Sequence, residues 1–410
     1  MQVIFLGHAC HLVEVDGVRV LTDPWLTDPI FEGLVEHDPT LAFGVGALPA
    51  LDVIAITHAH LDHFNAPTLA AIADKSIPVV HPPAAFTEIE RNLRLLGFSN
   101  LHARADYAPF KIGSVRIVPT PSRGMLDECA YLIEGRSGRF WDGADAPQPA
   151  DLIEQIASRF GPVDLAAVSH NSFDQPSLLG LASMKPTEHG PEEGARSAAI
   201  LGAGAAMAGA SNMRWCGTQG AAVTRKVIRC SHADLRSRIA RDAPQVKFVE
   251  LAAGDAWSPE AGVERAIIRG STPRRVTHDY IHAYLDSGER WCPGTRPSTE
   301  DTFRRDFPAR LAAAPTAAQL VNQRVVIEVT GDDPGTYTVD FREPGSKLIK
   351  GDDGAPYGFR LPEQDWKDLF ERKVNWQVVA MCDRLRVTRF RAGAPPAGLN
   401  FVYALQAVFP

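Results

Sequence analysis

The chain has 410 residues, 45% of them hydrophobic and 22% charged, with a formal net charge of −7. That length supports two or three domains, and the balance is that of a globular protein able to bury a sizeable core. No basic block is dense enough to track phosphates, which argues against nucleic acid as a partner, and the most apolar stretch, Ala198 to Ala210, is too short to span a bilayer.

In chain order, Met1 to Leu6 opens without a basic n-region or a small-residue cleavage site. Val3 to Leu6, Leu12 to Val15 and Val18 to Thr22 read as short strands, with Asp16-Gly17 as a hairpin turn. Strands and helices then alternate: strand Leu51 to Thr57, helix Pro67 to Ala73, strand Val79 to His81, helix Ala84 to Leu96. Strands follow at Ser114 to Pro119, Ala130 to Glu134 and Arg139 to Asp142, then helix Asp151 to Arg159, strand Asp164 to Ser169, helix Pro191 to Leu201 and strand Ala205 to Ala208. A mixed pattern repeated in two halves implies two sheets covered by helices. Residues 255–320 are polar, Arg-rich and broken by prolines, and read as a helical connector between a domain over 1–254 and an α+β module over 321–410. The six cysteines, Cys10, Cys129, Cys216, Cys230, Cys292 and Cys382, lack CxxC spacing and read as free thiols, so a cytoplasmic location is expected.

The chemistry concentrates in Thr57-His58-Ala59-His60-Leu61-Asp62-His63, directly after the apolar run that ends at Ile56. Three imidazoles and a carboxylate within six residues are costly to hold together unless a cation sits among them. His58 and His60, two apart in an extended segment, can face one metal, and Asp62 and His63 can face a second. Asp145, just past the strand ending at Asp142, is the best remaining carboxylate and could bridge two metals; Asp142 is its rival in the same loop. His278 and His282 have the spacing of a zinc-protease helix, but Asp279 stands where that motif has Glu and no third ligand is evident, so a helix-surface pair is the reading.

These residues, with Gly7-His8-Ala9 and Thr22-Asp23-Pro24-Trp25, resemble the metallo-β-lactamase superfamily over about residues 1–254. The resemblance implies a four-layer αβ/βα sandwich with metals at the sheet edges. Asp127-Glu128-Cys129-Ala130-Tyr131-Leu132-Ile133-Glu134 and Gly254-Asp255 with Trp257 look most like the CMP-N-acetylneuraminate hydroxylase-like branch, without its Rieske cysteine/histidine motif. Residues 321–410 resemble a sterol-carrier-protein-like module, with a packing or homodimerising role as the plainer expectation. His8 and Asp23 are expected to orient ligand imidazoles from behind.

The departures from hydrolytic members point elsewhere. No histidine stands shortly before the Tyr131 to Glu134 strand, over Pro119 to Glu128, and none directly after the strand ending at Ala208, where Ser211-Asn212 follows. Glu128 stands where one of these ligands is expected and could supply an oxygen instead. His189 resembles a helix-entry histidine that approaches the site in phosphodiesterase-like relatives, while His170 reads as structural. The expected ligands are His58, His60, Asp62, His63, Glu128 and Asp145, with Asp62, Asp145 and His189 as catalytic groups. They would hold one or two divalent metals, iron favoured, zinc or manganese as alternatives. The expected function is oxygenase or oxidase chemistry on a small organic substrate. A zinc-dependent hydrolase of phosphodiesters, amides or lactones, or a non-catalytic metal-binding remnant, are the alternatives.

Overall fold

The computed structural model describes the chain apart from residues 32, 42, 84–88, 124–126, 146–147, 172–189, 218–219, 229, 271–272, 276–296, 316–318, 320, 343–346, 372, 382–383, 390–404, 406–407 and 410. Described residues up to 275 fall in one compact unit and those from 297 onward in another. Among them no helix is long and apolar enough to cross a membrane, and Cys10, Cys129, Cys216 and Cys230 are free thiols.

The first unit is built on two sheets. One runs in the order Gly262–Glu264, Ala256–Ser258, Gln2–Gly7, Cys10–Val15, Val18–Thr22, Val53–Ala55, Val79–His81, Leu101–Ala103. It is antiparallel as far as Val18–Thr22 and parallel beyond. The other runs Lys247–Phe248, Ala205–Ala208, Leu165–Val168, Gly138–Asp142, Cys129–Gly135, Val115–Pro121, Phe110–Ile112. Side-chain alternation divides its residues between two cores. Cys129, Tyr131 and Ile133 face the first sheet with Leu165, Ala167, Ala205 and Met207, where they meet Val3, Phe5, Val53 and Ala55. Ala130, Leu132, Ala166, Val168, Ala206 and Ala208 face outward onto Ile153, Ile156, Ala195, Ala198, Leu235 and Ile239. Those last residues belong to the helices Ala150–Phe160, Pro191–Ile200 and His232–Asp242. Helices Ala66–Ala71 and Ile89–Leu95 link the parallel strands of the first sheet and bury Leu69, Ile89 and Leu93. This is the αβ/βα sandwich of the metallo-β-lactamase fold.

The second unit has its own sheet, ordered Lys347–Lys350, Gly335–Asp340, Arg324–Thr330, Tyr357–Pro362, Arg386–Arg389. Its core centres on Trp366 of helix Glu363–Phe370, stacked on Phe303 with ring centroids 4.4 Å apart and its indole N–H donated to Thr302 Oγ1 at 2.8 Å.

Two features differ from the sequence reading. The strand expected over Leu51 to Thr57 is regular only at Val53–Ala55, because the Thr57 N–H and hydroxyl donate to Asp23 rather than continuing the ladder. The division expected at residue 254 falls inside the first unit. Ala256–Ser258 pairs with Gln2–Gly7 and Gly262–Glu264 continues that sheet, so the stretch 255–320 begins as strands, and its described residues include helix over Thr299–Ala313. His278 and His282 lie outside the described residues.

Candidate metal centre

The site forms where strands of both sheets end. Val53–Ala55 of the first sheet runs into the His58–His63 loop, whose turn is closed by the His60 carbonyl accepting from the N–H groups of His63 and Phe64 at 3.0 and 2.6 Å. Asn65 then caps helix Ala66–Ala71, its side-chain oxygen accepting from the Thr68 N–H at 3.0 Å, with Pro67 in the first turn. The second sheet grips this loop from the other side. The Cys129 N–H donates to the Thr57 carbonyl at 3.1 Å, and the Tyr131 hydroxyl lies 3.0 and 3.3 Å from the carbonyls of Ile56 and Val80.

Asp145 arrives from the end of Gly138–Asp142. A Cβ on Gly143 would sit 2.7 Å from the Trp141 ring and 2.9 Å from the Ala167 carbonyl, so only glycine passes there. Asp142 is turned away from the site: it is fully buried, bonded to His11 Nδ1 at 3.0 Å and Thr22 Oγ1 at 2.8 Å, and its other oxygen accepts from the Ala144 N–H. Left-handed backbone gathers at these strand ends, at His8 (φ 51°), Asp23 (φ 36°), Ala144 (φ 47°), Ala210 (φ 42°) and Ser211 (φ 73°). Non-glycine residues held this way cost of order 1–3 kcal/mol each and persist where surrounding structure imposes them.

Two sets of donors result: His58, His60 and Asp145 in one, and His8, Asp62 and His63 in the other, the ligand atoms within each set lying within 4.8 Å of one another. His58 Nε2 is 2.8 Å from His60 Nδ1 and 3.7 Å from Asp145 Oδ1. That same Asp145 oxygen is 3.5 Å from His63 Nε2, so it stands between the two sets. Asp62 Oδ2 lies 3.8 Å from His63 Nε2 and 3.2 Å from His8 Nε2.

Asp23 settles which ring nitrogens are bare. Its Oδ2 accepts from the Thr57 hydroxyl at 2.6 Å and from His63 Nδ1 at 2.7 Å. With its hydrogen committed to Asp23, Thr57 Oγ1 can only accept from His58 Nδ1, 3.0 Å away. In their neutral forms both histidines therefore carry the Nδ1 proton and turn the Nε2 lone pair toward the carboxylates, which is how carboxylate–histidine relays prepare metal ligands. Burial, aided by the His63 charge, holds His58 well below the usual histidine range, and burial also lowers His60, so both rings are neutral donors. His63 goes the other way. Burial opposes its charge, but Asp145, Asp62 and Asp23 outweigh it and hold the ring protonated well above the usual range. Burial would raise Asp145 and Asp62, yet the His63 charge leads the effects that keep both below the ordinary carboxylate range. Neutral imidazoles beside ionised carboxylates are the donor types that bind a divalent cation. The buried Nε2 of His63 and both ring nitrogens of His8 have no hydrogen-bond partner, so the donor set fits a divalent metal.

Residues 18–209 match the family model described as a beta-lactamase superfamily domain. Those residues lie in a metallo-β-lactamase-fold domain. Over 179 residues it is 26% identical to a Mycobacterium tuberculosis protein bearing the name of a Rieske 2Fe-2S iron-sulfur protein, covering 42% of this chain and 34% of that one. Over 83 residues it is 34% identical to the cytidine monophosphate-N-acetylneuraminic acid hydroxylase of Asterias rubens, covering 19% and 13%. The chain thus spans about a third or less of the length of these relatives. Among solved structures it is similar to CmlA, a diiron beta-hydroxylase from Streptomyces venezuelae, at 20% identity and a TM-score of 0.47, covering 61% of this chain and 53% of that one.

Within this metallo-β-lactamase-fold domain, the structure brings together His58, His60, Asp62, His63 and Asp145. It does not bring Glu128 into either set: that carboxylate accepts from Ser122 Oγ at 2.5 Å. His170 is buried against the edge of His232, 5.3 Å between ring centroids, and burial pushes its pKa down to about 3. His189 lies outside the described residues. His8 has a role that the sequence reading understated. His8, expected behind the ligands, stands beside Asp62, and Asp23, expected to orient ligand imidazoles, bonds His63 directly and reaches His58 through Thr57. Gly7-His8 just past the first strand was the available signal.

Proposed function

We propose that the metallo-β-lactamase-fold domain is a metal-dependent oxygenase or oxidase acting on a small organic molecule, with iron as the favoured metal. The observation that supports this is the set His58, His60 and Asp145. Two imidazoles and one carboxylate with open positions are the donor set of non-haem iron oxygenases. Bound there, iron would supply dioxygen activation and electron transfer. His58 and His60 would hold it through Nε2 and Nδ1, with Asp145 shared toward a second metal at Asp62 and His63. The protein's own part is to keep both imidazoles neutral by burial, to fix their tautomers through Thr57 and Asp23, and to keep Asp145 ionised beside them. Asp62 and Asp145 are the groups placed to hold or pass a proton.

A zinc hydrolase is the second reading, because two histidines and a carboxylate also bind catalytic zinc. The test is to load metal-free protein with iron(II) or zinc(II) and follow oxygen uptake, with an external reductant, against cleavage of bis(p-nitrophenyl) phosphate and nitrocefin under argon. The proposal expects iron-dependent oxygen uptake that is lost in Asp145→Ala. Zinc-loaded protein that cleaves either chromogenic ester or lactam under argon, with no iron-dependent oxygen uptake, would overturn it.

A further inference from the structure

The set His58, His60 and Asp145 has two nitrogens and an oxygen, whereas the second position, read from the His58–His63 loop alone, has only Asp62 and His63. Metallo-β-lactamase-fold hydrolases complete that position with a late histidine, and none stands directly after the strand Ala205–Ala208, where Gly209-Ala210-Ser211-Asn212 follows. The fold supplies an imidazole from the opposite end of the chain. His8 follows the strand Gln2–Gly7, the central antiparallel neighbour of Cys10–Val15, and its backbone is left-handed. Its ring is 1% exposed, and neither ring nitrogen makes a hydrogen bond. It is wedged edge-on between Trp25 and His63, with ring centroids 5.3 Å from each. Nε2 is 3.2 Å from Asp62 Oδ2, which itself is 3.8 Å from the equally unpartnered His63 Nε2.

Nitrogen or oxygen donors about 2.0–2.2 Å from a shared metal stand roughly 3.2–4.2 Å from one another. The His8–Asp62 and Asp62–His63 pairs have that spacing, and the three donors all lie within 4.8 Å of one another. A buried imidazole with both nitrogens unsatisfied is unfavourable, and a metal bond at Nε2 would offset part of that cost.

We infer that His8 is a metal ligand: with Asp62 and His63 it forms a second two-histidine, one-carboxylate position, in place of a late histidine. The inference rests on the metal-centre reading above. It also makes the two positions alike in donor type, with Asp145 between them.

The variant is His8→Asn, since asparagine tolerates left-handed backbone, with His8→Gln as a second should the first not fold. Folding is checked by circular dichroism of the metal-free proteins. Metal content is measured by elemental analysis after loading with cobalt(II), and affinity by competition against a chelator, with the cobalt visible spectrum reporting the number of ligands. Wild type should hold two metals per chain. The variant should hold one tightly, with affinity at the second position reduced by more than the roughly 10–100-fold that loss of an outer orienting partner costs, and with a changed spectrum for that metal alone. Two metals in the variant, with affinity within that range and an unchanged spectrum, would overturn the role of His8 and leave the metal centre standing. A wild type that binds no metal would instead overturn the metal-centre reading itself.

Discussion

Replacing Asp23 by Asn is the sharpest probe of how the site is prepared, because it removes a charge and almost no volume. Asp23 Oδ1 accepts from the Thr57 N–H at 2.8 Å, and Oδ2 accepts from both Thr57 Oγ1 and His63 Nδ1. An asparagine that keeps its carbonyl on the Thr57 N–H must aim its NH2 at His63 Nδ1. That NH2 can only donate, so the His63 proton is driven to Nε2, the nitrogen 3.5 Å from Asp145 and 3.8 Å from Asp62. Thr57 Oγ1, released from its acceptor, no longer obliges His58 to donate from Nδ1. One atom change thus undoes the tautomers of two ligands. Loss of a single orienting partner weakens metal binding about 10–100-fold, equivalent to roughly 1.4–2.7 kcal/mol. Asp23→Asn should reach the upper end of that range. Chelator competition at fixed pH measures it. Metal affinity within twofold of wild type in a folded Asp23→Asn protein would refute the argument that Asp23 governs both rings.

Two further outcomes are expected. His63 is raised above its ordinary value, so its contribution to the stability of the metal-free protein is full below the unfolded pKa of about 6.5 and is lost as pH rises through the folded value. Asp62 and Asp145 are depressed, so their contribution is present above about 3.9 and is lost as pH falls through their folded values. Metal-free protein should therefore melt at progressively lower temperature as pH rises above 6.5. Metal binding, which must displace the His63 proton, should tighten with pH and release protons detectable by calorimetry in buffers of different ionisation enthalpy; affinity independent of pH between 5.5 and 8 would count against this. Tyr131→Phe removes the hydroxyl lying between the Ile56 and Val80 carbonyls and should cost about 1–3 kcal/mol in denaturant unfolding, and an unchanged midpoint would show that water replaces it.

The parts legible in the sequence were those whose geometry is local. His58, His60, Asp62 and His63 lie in one loop, so chain connectivity alone brings them together, and the apolar alternation of Cys129–Gly135 or Ala205–Ala208 follows directly from strand pleating. Asp145 against Asp142 was open because both sit in one turn; burial of Asp142 onto His11 and Thr22 decides between them, and those partners are more than a hundred residues away. His8 looked like support rather than ligand because its approach to Asp62 depends on the first sheet being assembled. Glu128 was assigned by position before a strand, yet its side chain is engaged by Ser122. The strands Ala256–Ser258 and Gly262–Glu264 were missed in a polar stretch because their pairing partner, Gln2–Gly7, lies at the other end of the chain.

The donors come from both faces of the sandwich: the His58–His63 loop extends the first sheet, and Asp145 extends the second. A few hydrogen bonds cross the seam near that point, from Cys129 to Thr57, from Tyr131 to Ile56 and Val80, and from His11 and Thr22 to Asp142. A cation held there would act as a rivet between the halves. At a hundred times its dissociation constant it would add about 2.7 kcal/mol to the folded state, concentrated where the sheets would otherwise part. Local opening that exposes the ligands would then be rare while metal is bound and frequent without it, so amide exchange at Thr57 and Cys129 should report occupancy as directly as any catalytic assay.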